Sequence, residues 1–135
     1  MGNTKTGPLE GIRVIEMGSL IAGPYAGAVL AQFGAEVIKI EPPRIGDPLR
    51  KWRKMDGDTS LWWYSQSRNK KSLALNLKDP DAQGVLRDLV READVLVENF
   101  RPGTLEKWNL GWDVLSAINS KLVMLRVSGY GQSGP

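Results

Sequence analysis

IRVIEMGSLIAGPYAGAVLAQFGAEVIKI, residues 12–40, decides the fold. Residues 12–17 (IRVIEM) are short and mostly apolar, the pattern of a strand. Residues 18–23 form a turn bounded by Gly18 and Gly23, and Pro24 stands where helices start. Residues 25–33 (YAGAVLAQF) are rich in helix formers and apolar nearly all round, which predicts a buried helix. Gly34 is placed to cap it, and residues 35–40 (AEVIKI) return to strand. Strand, helix and strand in that order make a βαβ unit whose two strands run parallel.

Outward from this unit the pattern repeats. Glu41-Pro42-Pro43 ends the second strand, and residues 44–58 are charged with little periodicity. Residues 59–68 (TSLWWYSQSR) predict a short helix. Residues 72–77 alternate, with Leu73, Leu75 and Leu77 on one face, and read as a half-buried strand. Asp79-Pro80 is a helix start, N-cap then first turn. Val85, Leu86, Leu89, Val90 and Ala93 then form one apolar stripe at helical spacing. Residues 94–98 (DVLVE) and 121–128 (KLVMLRVS) are strands, with short helices at 102–108 and 112–118 between them. The fold class is therefore α/β: a Rossmann-like parallel sheet with helices on both faces, one domain over residues 1–135. Ligands of such sheets bind beyond the carboxyl ends of the strands, which points to residues 18–23, 41–44, 76–78, 99–103 and 128–135.

A chain of 135 residues can bury a real core, and 41% hydrophobic with 24% charged residues excludes collagen-like, low-complexity and disordered classes. No apolar run is long enough to span a bilayer, and no hydrophobic leader core opens the chain, so no membrane partner is expected. With no cysteine, a reducing cytoplasm is the natural setting. A net charge of +3 is too weak to argue for nucleic acid. The absence of histidine and cysteine removes imidazole and thiolate catalysis and the usual zinc ligands, so no metal is expected. Met1-Gly2-Asn3-Thr4-Lys5-Thr6 fits a loose N-myristoylation pattern or a plain polar start.

Several local motifs have two readings each. Gly129-Tyr130-Gly131-Gln132-Ser133-Gly134 matches G-x-G-x-x-G after a strand, either a dinucleotide fingerprint or a flexible loop near a ligand. Glu41 ends the second strand, either as a ribose-holding acid or as a solvated acid on a tight turn. Arg44, Arg50, Lys51, Arg53 and Lys54, with Arg68, Lys70 and Lys71, suit a phosphate ligand or a solvated basic face. Trp52, Trp62 and Trp63 stack on a base or pack under the long loop.

The order of longer motifs is more specific. Glu98-Asn99-Phe100-Arg101-Pro102-Gly103 resembles the E-N-F-x-P-G signature of family III CoA-transferases, the carnitine and bile-acid CoA-transferase group. Residues 9–14 (LEGIRV), 23–24 (GP), 30–41 (LAQFGAEVIKIE), 46–48 (GDP), 69–78 (NKKSLALNLK) and 129–135 (GYGQSGP) are similar to that family in the same order. The resemblance covers nearly the whole chain and implies transfer of CoA from an acyl-CoA to a small carboxylic acid, through a covalent aspartyl-CoA intermediate. It implies that this chain is the N-terminal CoA-binding portion of an enzyme whose two subunits interlock as a homodimer. CoA contacts carry over to Ile21, Ala22, Leu75, Asn76, Leu77, Lys78, Asn99, Phe100, Arg101 and Lys107. Where some members place an arginine after the acid ending the second strand, this chain has Pro42, and Arg44 is the candidate substitute. No aspartate here matches the setting of the family's nucleophile, which is expected beyond Pro135. No catalytic residue is therefore assigned, and the chain alone is expected to be inactive. The related α-methylacyl-CoA racemases, a non-catalytic CoA-binding fragment and an NAD-type domain are the alternative readings.

Overall fold

A computed structural model describes residues 7–134; the N-terminal pattern at Met1–Thr6 lies outside them. Five strands form one parallel sheet: β1 (Arg13–Glu16), β2 (Glu36–Glu41), β5 (Lys70–Ala74), β6 (Val95–Glu98) and β7 (Val123–Arg126), in the order β5-β2-β1-β6-β7. The small hairpin β3 (Met55–Asp56) and β4 (Thr59–Ser60) stands apart from it. The helices are α1 (Ala22–Gln32), α2 (Leu61–Gln66), α3 (Pro80–Arg91), α4 (Thr104–Lys107) and α5 (Trp112–Ile118). None is long and apolar enough to cross a membrane among the described residues. After β2 and β5 fill one side of β1, the chain crosses back through α3 to place β6 on the other. That reversal beside β1 is a topological switch point, where strand ends splay and leave a crevice.

Each face of the sheet has its own core. Ile15, Leu96 and Ile40 pack with Leu86 and Val90 of α3 and Leu115 of α5. Val14, Val37 and Val97 pack on the other face against Ala31 of α1. Helix α1 buries only Gly23, Pro24, Gly27, Ala28 and Ala31, a stripe of small residues that brings it close to the strands. The expectation of a fully buried helix is corrected: Tyr25 is 58% exposed and Phe33 points outward too. The apolar stripe of α3 is narrower than predicted, since Val85 is 45% exposed while Leu86 and Val90 are buried.

Helix α3 begins where its sequence says. Asp79 stays extended, its carboxylate accepts the Asp81 amide at 3.0 Å, and Pro80 follows without an amide to leave unpaired. Asp79→Ala is expected to cost about 1 kcal/mol. A differential scanning calorimetry melt should fall by about 3–5 °C.

Candidate functional site

The crevice at the strand ends holds a cavity of about 330 Å³. Four strand ends contribute to it. Met17, Gly18 and Ser19 follow β1; Ile40, Glu41, Pro42 and Ile45 close β2; Leu75, Asn76, Leu77 and Lys78 follow β5; Phe100 follows β6. The lining is mostly apolar with a few polar groups at the edges, and the volume lies at the small end for ligand pockets.

Of the residues singled out by sequence, Leu75, Asn76, Leu77, Lys78 and Phe100 meet in this cavity. Ile21, Ala22, Arg44, Asn99, Arg101 and Lys107 do not line it. Arg44 is exposed at φ 68° in the turn between Pro42 and Ile45. Arg101 and Lys107 are exposed beside lining residues Phe100 and Trp108. Ile21 is the residue before α1, and Ala22 its first residue. Asn99 serves the cavity indirectly. Its Oδ1 accepts the Ser19 amide at 2.7 Å and its Nδ2 donates to the Ser19 carbonyl at 2.9 Å. One side chain thus pairs with a backbone residue as a neighbouring strand would. Gly18 and Gly23 leave the room for this, since a Cβ on Gly18 would meet Asn99 Oδ1 at 3.0 Å.

The neighbouring acid of the same motif is structural as well. Glu98 is buried, accepts from Arg126 Nε at 2.8 Å and takes the Phe100 amide at 2.7 Å. Arg126 also grips Glu106, first, and with Glu98 this holds its guanidinium above the ordinary value against the opposing effect of burial.

Both readings of Glu41 are corrected. It is neither solvated nor free for a ribose: it is 2% exposed and paired through both oxygens with Arg50 at 2.8 Å. The Ser72 hydroxyl and the Asp47 amide also donate to it. Burial pushes this carboxyl up, but Arg50, Ser72 and the Asp47 amide outweigh it and hold it down to about 2. Because the folded value lies below the ordinary 4.5, the pairing stabilises the fold fully above pH 4.5. That stability is lost as pH falls through about 2. Between pH 5 and pH 2.5, the urea-derived stability of a Glu41→Gln protein should fall by about 2 kcal/mol less than that of the parent.

Part of the basic clusters is spent in the same way, through Arg50, Arg53, Lys70 and Lys71. Arg50 lies 3.9 Å over the Trp63 ring, and Arg53 lies 4.4 Å over Trp52. Trp52 meets Trp62 edge-on at 5.7 Å, and none of the three tryptophans lines the cavity, while Trp62 is 40% exposed. Lys71 pairs with Glu36 at the opposite end of the sheet.

A buried ionic cluster lies between the sheet and α1, unseen at the level of motifs. Glu16, Lys39 and Asp47 are at most 2% exposed, as is the Lys70 side chain. Lys39 Nζ donates to Glu16 Oε1 at 2.9 Å and pairs with Asp47 at 2.8 Å. Lys70 Nζ lies 2.6 Å from Glu16 Oε2 and donates to the Pro24 carbonyl at 2.6 Å. Burial pushes the Lys70 ammonium down, and Glu16 opposes it. Two acids and two bases balance in charge. The signal was present in VIEM and VIKIE, where a charge stands at an inward position of an apolar strand.

A profile of CoA-transferase family III matches residues 9–135. The succinyl-CoA–D-citramalate CoA-transferase of Chloroflexus aurantiacus is 53% identical over 95% of this chain and 32% of its own length. The beta subunit of succinyl-CoA–L-malate CoA-transferase from the same organism is 56% identical over 99% of this chain and 33% of its own. A crystal structure of a CAIB/BAIF family protein from Brucella suis superposes with a TM-score of 0.87 at 36% identity, covering 96% of this chain and 35% of that one. The chain spans about a third of the length of the curated relatives it matches. With this profile match over residues 9–135 and that superposition, the chain belongs to CoA-transferase family III.

Proposed function

We propose that residues 1–135 form the CoA-binding domain of a cytoplasmic enzyme that moves CoA from an acyl-CoA to a small carboxylic acid. The observation that carries this reading is the cavity at the switch point, in a chain of this family. Leu75, Leu77, Pro42 and Ile45 offer apolar surface to an adenine, while Lys78 stands exposed at the rim, placed for a phosphate. Arg44, Arg101 and Lys107 supply further exposed cations around the mouth, and Ile21 and Ala22 lie at the start of the nearby helix. Asn99 holds the turn after β1.

In the proposed reaction, an aspartate expected beyond Pro135 attacks the acyl-CoA carbonyl. The C–S bond breaks, giving a mixed anhydride and CoA thiolate. The thiolate attacks the aspartyl carbonyl, releasing the first acid and leaving an aspartyl-CoA thioester. The acceptor carboxylate then repeats the exchange and departs as its own CoA thioester. A relative named as a beta subunit supports assembly from more than one chain; the interlocked homodimer is the arrangement proposed from the family resemblance.

The test is incubation of the full-length protein, with the segment beyond Pro135 included, with succinyl-CoA and, separately, L-malate, D-citramalate and glutarate, following new CoA thioesters by mass spectrometry. A new thioester and an aspartyl-CoA adduct are expected. Exchange of the α-proton of an acyl-CoA without CoA transfer would instead establish a racemase. Within the binding reading, Lys78→Glu is expected to weaken CoA about tenfold, roughly 1.4 kcal/mol, with little change in melting temperature. Equilibrium dialysis at two salt concentrations checks it, since the loss should shrink as salt rises.

A further inference from the structure

Two walls of the cavity are joined through one buried ammonium group. Lys39 Nζ donates to the Gly18 carbonyl at 2.8 Å and to Glu16 Oε1 at 2.9 Å, and it pairs with Asp47 Oδ2 at 2.8 Å. Three acceptors satisfy its three N–H groups. Gly18 belongs to the turn after β1 and Asp47 to the loop after β2, and both line the cavity.

Asp47 extends the link. Its carboxylate accepts the Leu20 amide at 3.0 Å and the Leu49 amide at 2.8 Å. Leu20 sits at φ 65°, in the left-handed region, where a branched side chain is strained and needs an outside hold. Among the described residues, no backbone hydrogen bond joins residues 18–21 to residues 42–48. The register between the two walls therefore depends on the side chains of Lys39 and Asp47.

We propose that Lys39 is a positioning residue of the CoA site: through Gly18 and Asp47 it fixes the turn after β1 against the loop after β2. This rests on the CoA reading above. A buried ion cluster is a poor core filler, because apolar residues of the same volume often serve stability as well or better. Its advantage is a single registered geometry. Loops already fixed in the free protein lose less freedom on binding, so the ligand is held more tightly.

The test removes one charge of each sign. Lys39→Met with Asp47→Asn roughly keeps the side-chain volumes and leaves the Oδ1 that the Leu20 and Leu49 amides share, so the loss read out is that of the Lys39 ammonium. CoA dissociation constants come from equilibrium dialysis, folding from thermal melting, and Leu20 amide exchange from NMR. The double variant is expected to bind CoA at least tenfold more weakly and to exchange the Leu20 amide faster. A Leu115→Val protein, loosened in the core beneath α5, should keep the parent's CoA affinity; a merely structural role for Lys39 would move both proteins alike. A folded double variant with parental CoA affinity and parental Leu20 exchange overturns the proposal. Should the double variant not fold, Lys39→Gln with Asp47→Asn, which keeps a polar group in place of the ammonium, is read the same way, with the same two outcomes. Should the parent bind no CoA, the CoA reading fails, and Leu20 exchange alone decides whether Lys39 holds the turn.

Discussion

Gly27→Ala is expected to lower stability by about 3 kcal/mol or more, although alanine is the better helix former. A Cβ at this position would stand 2.9 Å from Glu16 Cδ and nearer still to Oε2. The carboxylate cannot step aside, because it is buried and held by both Lys39 and Lys70. Either α1 lifts from the sheet, opening the small-residue contact, or the ion pairs break inside the core. Most domains have only about 5–15 kcal/mol in total, so a loss of this size is severe. Urea denaturation should show a much lower midpoint with an unchanged slope. Parental stability in Gly27→Ala would mean that the helix is not seated on Glu16 as described.

Lys39→Met is expected to cost about 3–5 kcal/mol, the usual result of stripping one partner from a buried pair. Methionine fills the space, so packing is not the cause. Glu16 and Asp47 are left with Lys70 as the single nearby base. Adding Asp47→Asn should recover a large part of the loss, since the remaining charges balance again. A double-mutant cycle on urea stabilities should therefore give a coupling energy of about 2 kcal/mol between the two sites. Simple additivity would show that Lys39 and Asp47 do not share one network.

Most of the sheet was legible in the sequence because its strands carry simple signals. The two strands of the βαβ unit over residues 12–40, the Asp79-Pro80 start and the helix Trp112–Ile118 stand where periodicity and caps place them, while α1 starts at Ala22, two residues before Pro24. The strand expected at 72–77 runs instead over Lys70–Ala74. Leu75 and Leu77 keep the alternation after the chain has left the ladder, because they face the cavity rather than a neighbouring strand. The hairpin around Gly57 was missed, since strands of two residues have no period to detect. At the site, residues 75–78 were legible through the family motif, and the structure adds their apolar neighbours Pro42 and Ile45. What pattern reading could not supply was pairing. Glu41, Arg50 and Lys70 looked like free charges for a ligand, but Glu41 and Arg50 pair with each other and Lys70 is held by Glu16, far back along the chain.

The balanced cluster of Glu16, Lys39, Asp47 and Lys70 also shapes how this domain can drift over generations. Replacing any one of the four leaves an odd charge in a dry interior, at a penalty that selection will notice. A lineage can leave this arrangement by two routes: a compensating second change, or passage through a barely stable intermediate. Exposed cations such as Arg44 and Lys107 lie outside this buried cluster, so they are free to change one at a time.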